Sequence, residues 1–355
     1  MSTVLEQPPA VPADPPAPRT RSGSLLRAEL HRFRSRRFLQ VLLGLSVLGW
    51  IVATSIALTQ FGVPDDGDRA DAQAEINRIV ADNEVFRQQC LENPEEFNGG
   101  QVPEGATPEE LCGPPVTAAD FRVEDFISKA PFDLASAGTE GALVFAAAAA
   151  VVAFIIGATW IGAEWSSRSL VALLFWVPQR MKVMATKIAV LVLGAALFGA
   201  LAQAGWLLMA WILRSAVGTD DPLPDGFWGE LFAAQGRSVL LAVLIALLGF
   251  GLTNLVRNTG AALGVGFVYF AVLETALRGF QPSWEPWLLS TNAAGLIVPG
   301  GLELPDYDNL TVGPEGFPEP SLYLLSNLQA GIFLTAVVAV IVGVGVVLFA
   351  KRDVH

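Results

Sequence analysis

The run GALVFAAAAAVVAFIIGATWIG, residues 141–162, decides the class of fold. It contains no Asp, Glu, Lys or Arg. A helix of that length, rising 1.5 Å per residue, crosses the roughly 30 Å hydrocarbon core of a bilayer. Working outward, residues 38–61, 188–213, 238–256, 260–280 and 329–350 have the same long, apolar, charge-poor character. Hydrophobic residues make up 52% of the 355-residue chain, charged residues only 16%, and mean hydropathy is +0.49, well above a soluble protein of this length. The sequence therefore predicts an all-α integral membrane protein with six transmembrane helices.

The segments between these runs alternate in charge. The leader holds Arg19, Arg21, Arg27, Arg32, Arg34, Arg36 and Arg37. Residues 163–187 add Arg168, Arg180, Lys182 and Lys187; Arg257 follows the fourth run, and Lys351 with Arg352 follows the sixth. Together these alternate segments carry fourteen basic residues against five acidic ones, whereas residues 62–140 carry 18 acidic against five basic. Positive charge is retained on the cytoplasmic side, so both termini are expected there, in agreement with an even number of spans. The formal net charge of −12 then belongs mostly to translocated loops. It is not the signature of a nucleic-acid partner.

Residues 1–22, rich in proline and alanine, are expected to be a disordered cytoplasmic tail. Residues 23–37 read as an amphipathic interfacial helix that Ser24 could cap, with Leu26, Leu30 and Phe33 on one stripe and arginines off it. The apolar run that follows is too long for a signal-peptide core, so it is read as an uncleaved first span. Residues 62–140 form an outer domain too long for an ordinary loop, helical from Ala70 to Leu91 and irregular from Asn98 to Pro115. Its Asp65-Asp66-Gly67-Asp68 run lacks the remaining ligands of a calcium loop, and no metal is expected. Cys90 and Cys112 both fall in this domain, where an oxidising exterior favours a disulfide. Residues 214–237 form a shorter outer loop. In the outer segment 281–328, Trp287 to Val298 is apolar but too short to span, so a re-entrant or surface helix is expected there, anchored by Trp284 and Trp287. Residues 351–355 end the chain on the cytoplasmic side.

The chain has no G-x-x-x-x-G-K-[ST] phosphate loop and no H-E-x-x-H pair, and its two histidines, His31 and His355, lie outside the apolar runs. The distinctive stretch is GAEWSSRSLVALLFWVPQR, residues 162–180. Ser166 or Ser167 can cap a short helix, Leu170, Leu173, Leu174 and Val177 make an apolar face, and Pro178 ends it. Such a face can bury itself in lipid or in a cleft on a soluble partner.

This segment resembles the signature of permease subunits of type-2 ABC exporters. The matching elements are Glu164 at the end of the second span, Ser169-Leu170, the paired Leu173-Leu174, Pro178, Arg180 and the downstream Lys187. The closing Phe349-Ala350-Lys351-Arg352-Asp353, the basic leader and the six-span plan resemble the same family over about residues 24–355, the outer domain apart. One departure is Arg168, where many relatives carry glycine. The resemblance implies a bacterial plasma-membrane protein, a second permease copy or related permease, and a separately encoded ATPase subunit. That subunit would hold the ATP and magnesium, leaving this chain without a bound cofactor or catalytic residue. Residues 167–177 would be the coupling helix seated in the ATPase, with Glu164 pairing to Arg168, four residues on.

Three further residues are candidates for a translocation path. Gln203 lies midway along the third span, where it could line a path or tie helices together. Glu274 lies about 22 Å along the fifth span, with Arg278 one turn beyond and placed to neutralise it. Gly260 and Gly264 read as a small-residue packing ridge. Two readings from other classes stay open: a secondary carrier or channel, and a membrane anchor presenting an acidic outer domain to an envelope partner.

Overall fold

Within hydrocarbon every backbone N–H and C=O must be paired inside its own segment, so long apolar runs resolve into helices. The computed structural model describes residues 22–94, 107–127, 129–219, 221–312 and 317–351. Six of its helices are long and apolar enough to cross a membrane: α2 (Arg37–Gln60), α5 (Leu134–Ser166), α7 (Arg180–Val217), α8 (Phe227–Val256), α9 (Thr259–Phe280) and α11 (Asn327–Lys351). Around them lie α1 (Ser22–Ser35), α3 (Asp66–Glu92), α4 (Pro108–Cys112), α6 (Ser169–Trp176) and α10 (Leu289–Ile297). The tails expected for residues 1–22 and 351–355 lie outside the described residues but for Ser22 and Lys351, which belong to α1 and α11. Of the stretch expected to be irregular from Asn98 to Pro115, residues 98–106 lie outside them too, while Pro108–Cys112 is helical as α4.

The spanning helices outrun the apolar runs that announced them. Residues 134–140, 180–187 and 227–237 are polar enough to leave hydrocarbon, yet they continue α5, α7 and α8. Hydropathy marks the membrane-embedded part of a helix; its ends are set by caps. Asp133 caps α5 by accepting from the N–H groups of Ala135 and Ser136 at 2.9 and 3.1 Å. Its carboxyl is held below the usual aspartate range first by the Ala135 N–H bond, against the opposing effect of burial. Asp65 and Asp68 form a reciprocal capping box at the start of α3, which gives this acidic run a structural role. Ser24 lies inside α1 and does not precede it.

The α8 helix is the centre of the bundle: 61% of its apolar window is buried, against 6% for α2 at the periphery. It meets α5 at backbone distance. A Cβ on Gly157 would stand 1.9 Å from the Ala246 carbonyl oxygen, and one on Gly249 would stand 2.4 Å from that of Phe154. The expected ridge at Gly260 and Gly264 does no such work, since a Cβ on either would meet no atom of a neighbouring helix. At one end of the bundle the chain passes through a short parallel bridge between Phe132 and Gly218. Trp206 fixes α7 to α5 there by donating to the Gly138 carbonyl at 2.8 Å.

The outer domain is helical, and Cys90 and Cys112 are joined in a disulfide that ties α3 to α4. The segment before the last span departs from the all-helical expectation. A 3₁₀ turn over Pro282–Trp287 leads into α10, as the apolar Trp287–Val298 run foretold in part. An antiparallel hairpin, β1 (Leu302–Val312) and β2 (Pro318–Leu325), then follows. Leu304 and Leu325 are buried at its base, while Leu310, Val312, Leu322 and Leu324 are exposed.

Candidate functional site

Two features meet at the end of the bundle that gathers the C-termini of α5, α8 and α11 and the N-terminus of α7. One is a buried charge cluster and the other is the short helix α6. The cluster begins with Glu164, in the last turn of α5 and 3% exposed. One of its carboxylate oxygens accepts from Arg36 at 3.0 Å and from Lys187 at 2.9 Å. The other lies 2.7 Å from the Lys187 ammonium. Lys187 is fully buried and also donates to Glu29 of α1 at 2.8 Å. The Arg36 guanidinium lies 4.4 Å above the Trp160 ring, in cation–π contact. Burial pulls the Arg36 pKa below its usual value, and the carboxylates of Glu164 and Glu29 oppose that shift. Arg32, half exposed, also reaches Glu29 at 3.3 Å, so two acids face three bases, and α1, α5 and α7 are fixed to one another.

The expected Glu164–Arg168 pair does not form. Glu164 turns into the bundle, while Arg168 is exposed in the left-handed conformation at φ 53°. Glycine adopts that region without strain, which accounts for the glycine that the resemblance places there. Arg168 is the N-cap of α6 without a side-chain capping bond. Ser166 and Ser167 do not cap it either, because both hydroxyls donate back to the Ala163 carbonyl, at 3.0 and 2.7 Å. The Ser167 and Ser169 hydroxyls lie 3.0 Å apart, within hydrogen-bond distance.

The apolar face of α6 points inward. Leu170 is fully buried, and half-buried Leu173, Leu174 and Val177 pack on the same core as Trp160 and Leu191. The outward face carries Phe175 and Trp176, 84% and 85% exposed. Periodicity identified a sided helix but assigned its sides by hydrophobicity alone, and α6 is apolar on both. Past the exposed Pro178, Arg180 reaches across the bundle to the carbonyls of Phe349 and Ala350 at 3.3 and 3.4 Å. It thereby satisfies acceptors at the end of α11. On the facing side Arg257, also left-handed at φ 55°, stacks 4.7 Å above Trp165, whose indole N–H donates to Asn254 at 3.2 Å.

The path candidates lie elsewhere and apart. Gln203 is buried and donates to the Ala142 carbonyl at 3.2 Å, tying α7 to α5 as helix-to-helix glue. Glu274 is 1% exposed and lies 3.9 Å from Arg278, as the sequence suggested. Its other partners were not foreseen: the Ser290 N–H and hydroxyl both donate to Glu274. Arg278 also reaches Glu285 at 3.4 Å and Thr291 at 3.1 Å. This cluster locks α9 to α10 directly after a π-helical turn over Val268–Leu273. Sequence reasoning also missed Glu29, Arg36 and Trp160, and a glutamate inside an otherwise arginine-rich leader was the available signal for the first. Among the described residues no group of three or more His, Cys, Asp or Glu is placed to hold a metal ion.

The fold and these clusters define a class, a multi-pass membrane protein with six helices of spanning length and a helical outer region. No protein family, curated protein or solved structure matches the chain in comparison.

Proposed function

We propose that this chain is the membrane-spanning permease subunit of an ATP-driven ABC exporter. Its termini lie in the cytoplasm of a bacterial cell, and it works beside a second permease copy or a related permease. A separately encoded ATPase supplies ATP and magnesium chemistry that this chain lacks. The observation that carries the reading is α6. A surface helix that buries Leu170 completely while leaving Phe175 and Trp176 more than four-fifths exposed is rigid on one side and unpartnered on the other. Adjacent exposed aromatics are favoured anchors of protein interfaces. The buried Glu164–Lys187 pair stands at both roots of the segment, so a push on α6 is delivered to α5 and α7 together. ATP-driven closure of the ATPases would select the permease conformation whose α6 helices fit best. In this arrangement α1 lies in the membrane interface, with Leu26 and Leu30 exposed and Glu29 and Phe33 turned to the bundle.

The test is co-purification with a phosphate-loop ATPase encoded beside this chain. Wild type is expected to retain the ATPase. The double change Phe175→Glu, Trp176→Glu is expected to insert and melt as wild type but to lose it. A wild type that never retains an ATPase would move the carrier or anchor readings ahead. A variant that binds normally would put the coupling contact elsewhere.

A further inference from the structure

At the elbow between α1 and α2 the chain forms a groove of about 600 Å³ against α5 and the start of α9. Its floor and one wall are apolar: Phe33, Phe38, Leu39, Ile156 and Trp160. Its rim is polar and basic, formed by Arg36, Arg37, Ser166, Ser167 and Thr259. Arg36 is spoken for by Glu164, but Arg37 is exposed and has no carboxylate partner among the described residues. Trp160 is 2% exposed, and its indole N–H finds no acceptor among the described residues. Phe38, at the mouth, is half exposed where the first spanning helix begins.

We infer that this groove binds an anionic phospholipid. The phosphate sits at Arg37, and one acyl chain runs along Phe38, Leu39 and Ile156. Charge complementarity selects the head, because the unpaired cation stands in an arginine-rich leader. The apolar floor selects a lipid over a free anion, since inorganic phosphate would leave those side chains uncovered. Bound there, the lipid touches α5 one turn before α6, so headgroup composition would act on the segment that roots the exposed helix. The binding itself does not rest on the transporter reading.

Native mass spectrometry of the full chain, released from nanodiscs of phosphatidylcholine mixed with phosphatidylglycerol, tests this. Wild type is expected to retain one phosphatidylglycerol in preference to phosphatidylcholine. Arg37→Ala is expected to reduce that preference about fivefold, and Arg37→Lys to preserve it. Ala163→Phe, which fills the groove without changing charge, is expected to abolish retention while melting as wild type. Retention without headgroup preference would overturn the inference, as would displacement by millimolar inorganic phosphate. Undiminished binding to the Ala163→Phe variant would do the same. So would a lipid-free groove whose residues crosslink to a second copy of the chain, which would make this face a contact between copies.

Discussion

Lys187 is an ammonium with no access to water, held between two carboxylates on different helices. The cost of burying such a group is recovered only if its partners stay in place, and removing one member of a buried pair leaves an uncompensated charge. Lys187→Met is therefore expected to lower stability by about 3–5 kcal/mol, read as a fall in thermal midpoint in detergent. Adding Glu29→Gln and Glu164→Gln should recover part of that loss, because no buried carboxylate is then left unpaired, while Arg36 gives up its Glu164 partner and keeps only the Trp160 ring. Failure of the triple variant to recover would show that the cluster acts through shape and not through charge. Asp133 acts at the opposite end of α5. Its folded pKa is depressed, so its stabilising contribution is complete above the unfolded value near about 3.9 and is lost as pH falls through the lower folded value. Asp133→Ala should cost about 1 kcal/mol at neutral pH, and the difference between variant and wild type should shrink on acidification. A gap that stays constant down to the acid limit would argue against the cap.

At the scale of elements, α5 and α8 approach so closely that side chains are excluded from the contact. Gly157→Ala would drive a methyl to 1.9 Å from the Ala246 carbonyl oxygen, and backbone cannot yield as a flexible side chain can. The two spans must separate, at a cost of about 1–3 kcal/mol for overpacking. Gly264→Ala, in open space, should change the melting midpoint little. Equal midpoints for the two variants would refute the close contact. The pair also shows what was legible in the sequence. All six spans, the short helix after the second one and the Cys90–Cys112 bridge were visible, because length, charge and compartment constrain them locally. Which glycine meets a neighbour depends on helix rotation, and hydropathy is silent on that when every face is apolar. The same degeneracy turned α6 over, burying the leucines and leaving Phe175 and Trp176 outside. The hairpin before α11 escaped for another reason: Pro305, Pro318 and Pro320 interrupt both strands, and proline argues against a strand unless it sits at an edge. In a two-stranded ribbon both strands are edges.

For the whole molecule, the buried contacts and the charge pattern sort the chain into the same two ends by unrelated means. Arg36, Glu164, Lys187, Arg257 and the Arg180 bond to α11 all lie at one end, and these are the segments rich in arginine and lysine. Packing alone could be satisfied in a bundle inserted either way up; only charge retention on the cytoplasmic side chooses between the two. The native cysteines are bridged to each other, so a single introduced cysteine is the one free thiol among the described residues. Ser35, Gln179, Ala81 and Asn309 are exposed and suited to that purpose. In intact cells a membrane-impermeant maleimide is expected to label cysteine placed at Ala81 or Asn309, and to label Ser35 or Gln179 positions only after permeabilisation. The reverse pattern would invert the molecule and put α6 beyond the reach of any cytoplasmic ATPase. Labelling of all four in intact cells would break the six-span topology itself. The assay therefore bears on the coupling proposal before a partner is in hand, since Phe175 and Trp176 can meet an ATP-hydrolysing subunit only from the side on which Gln179 stays protected.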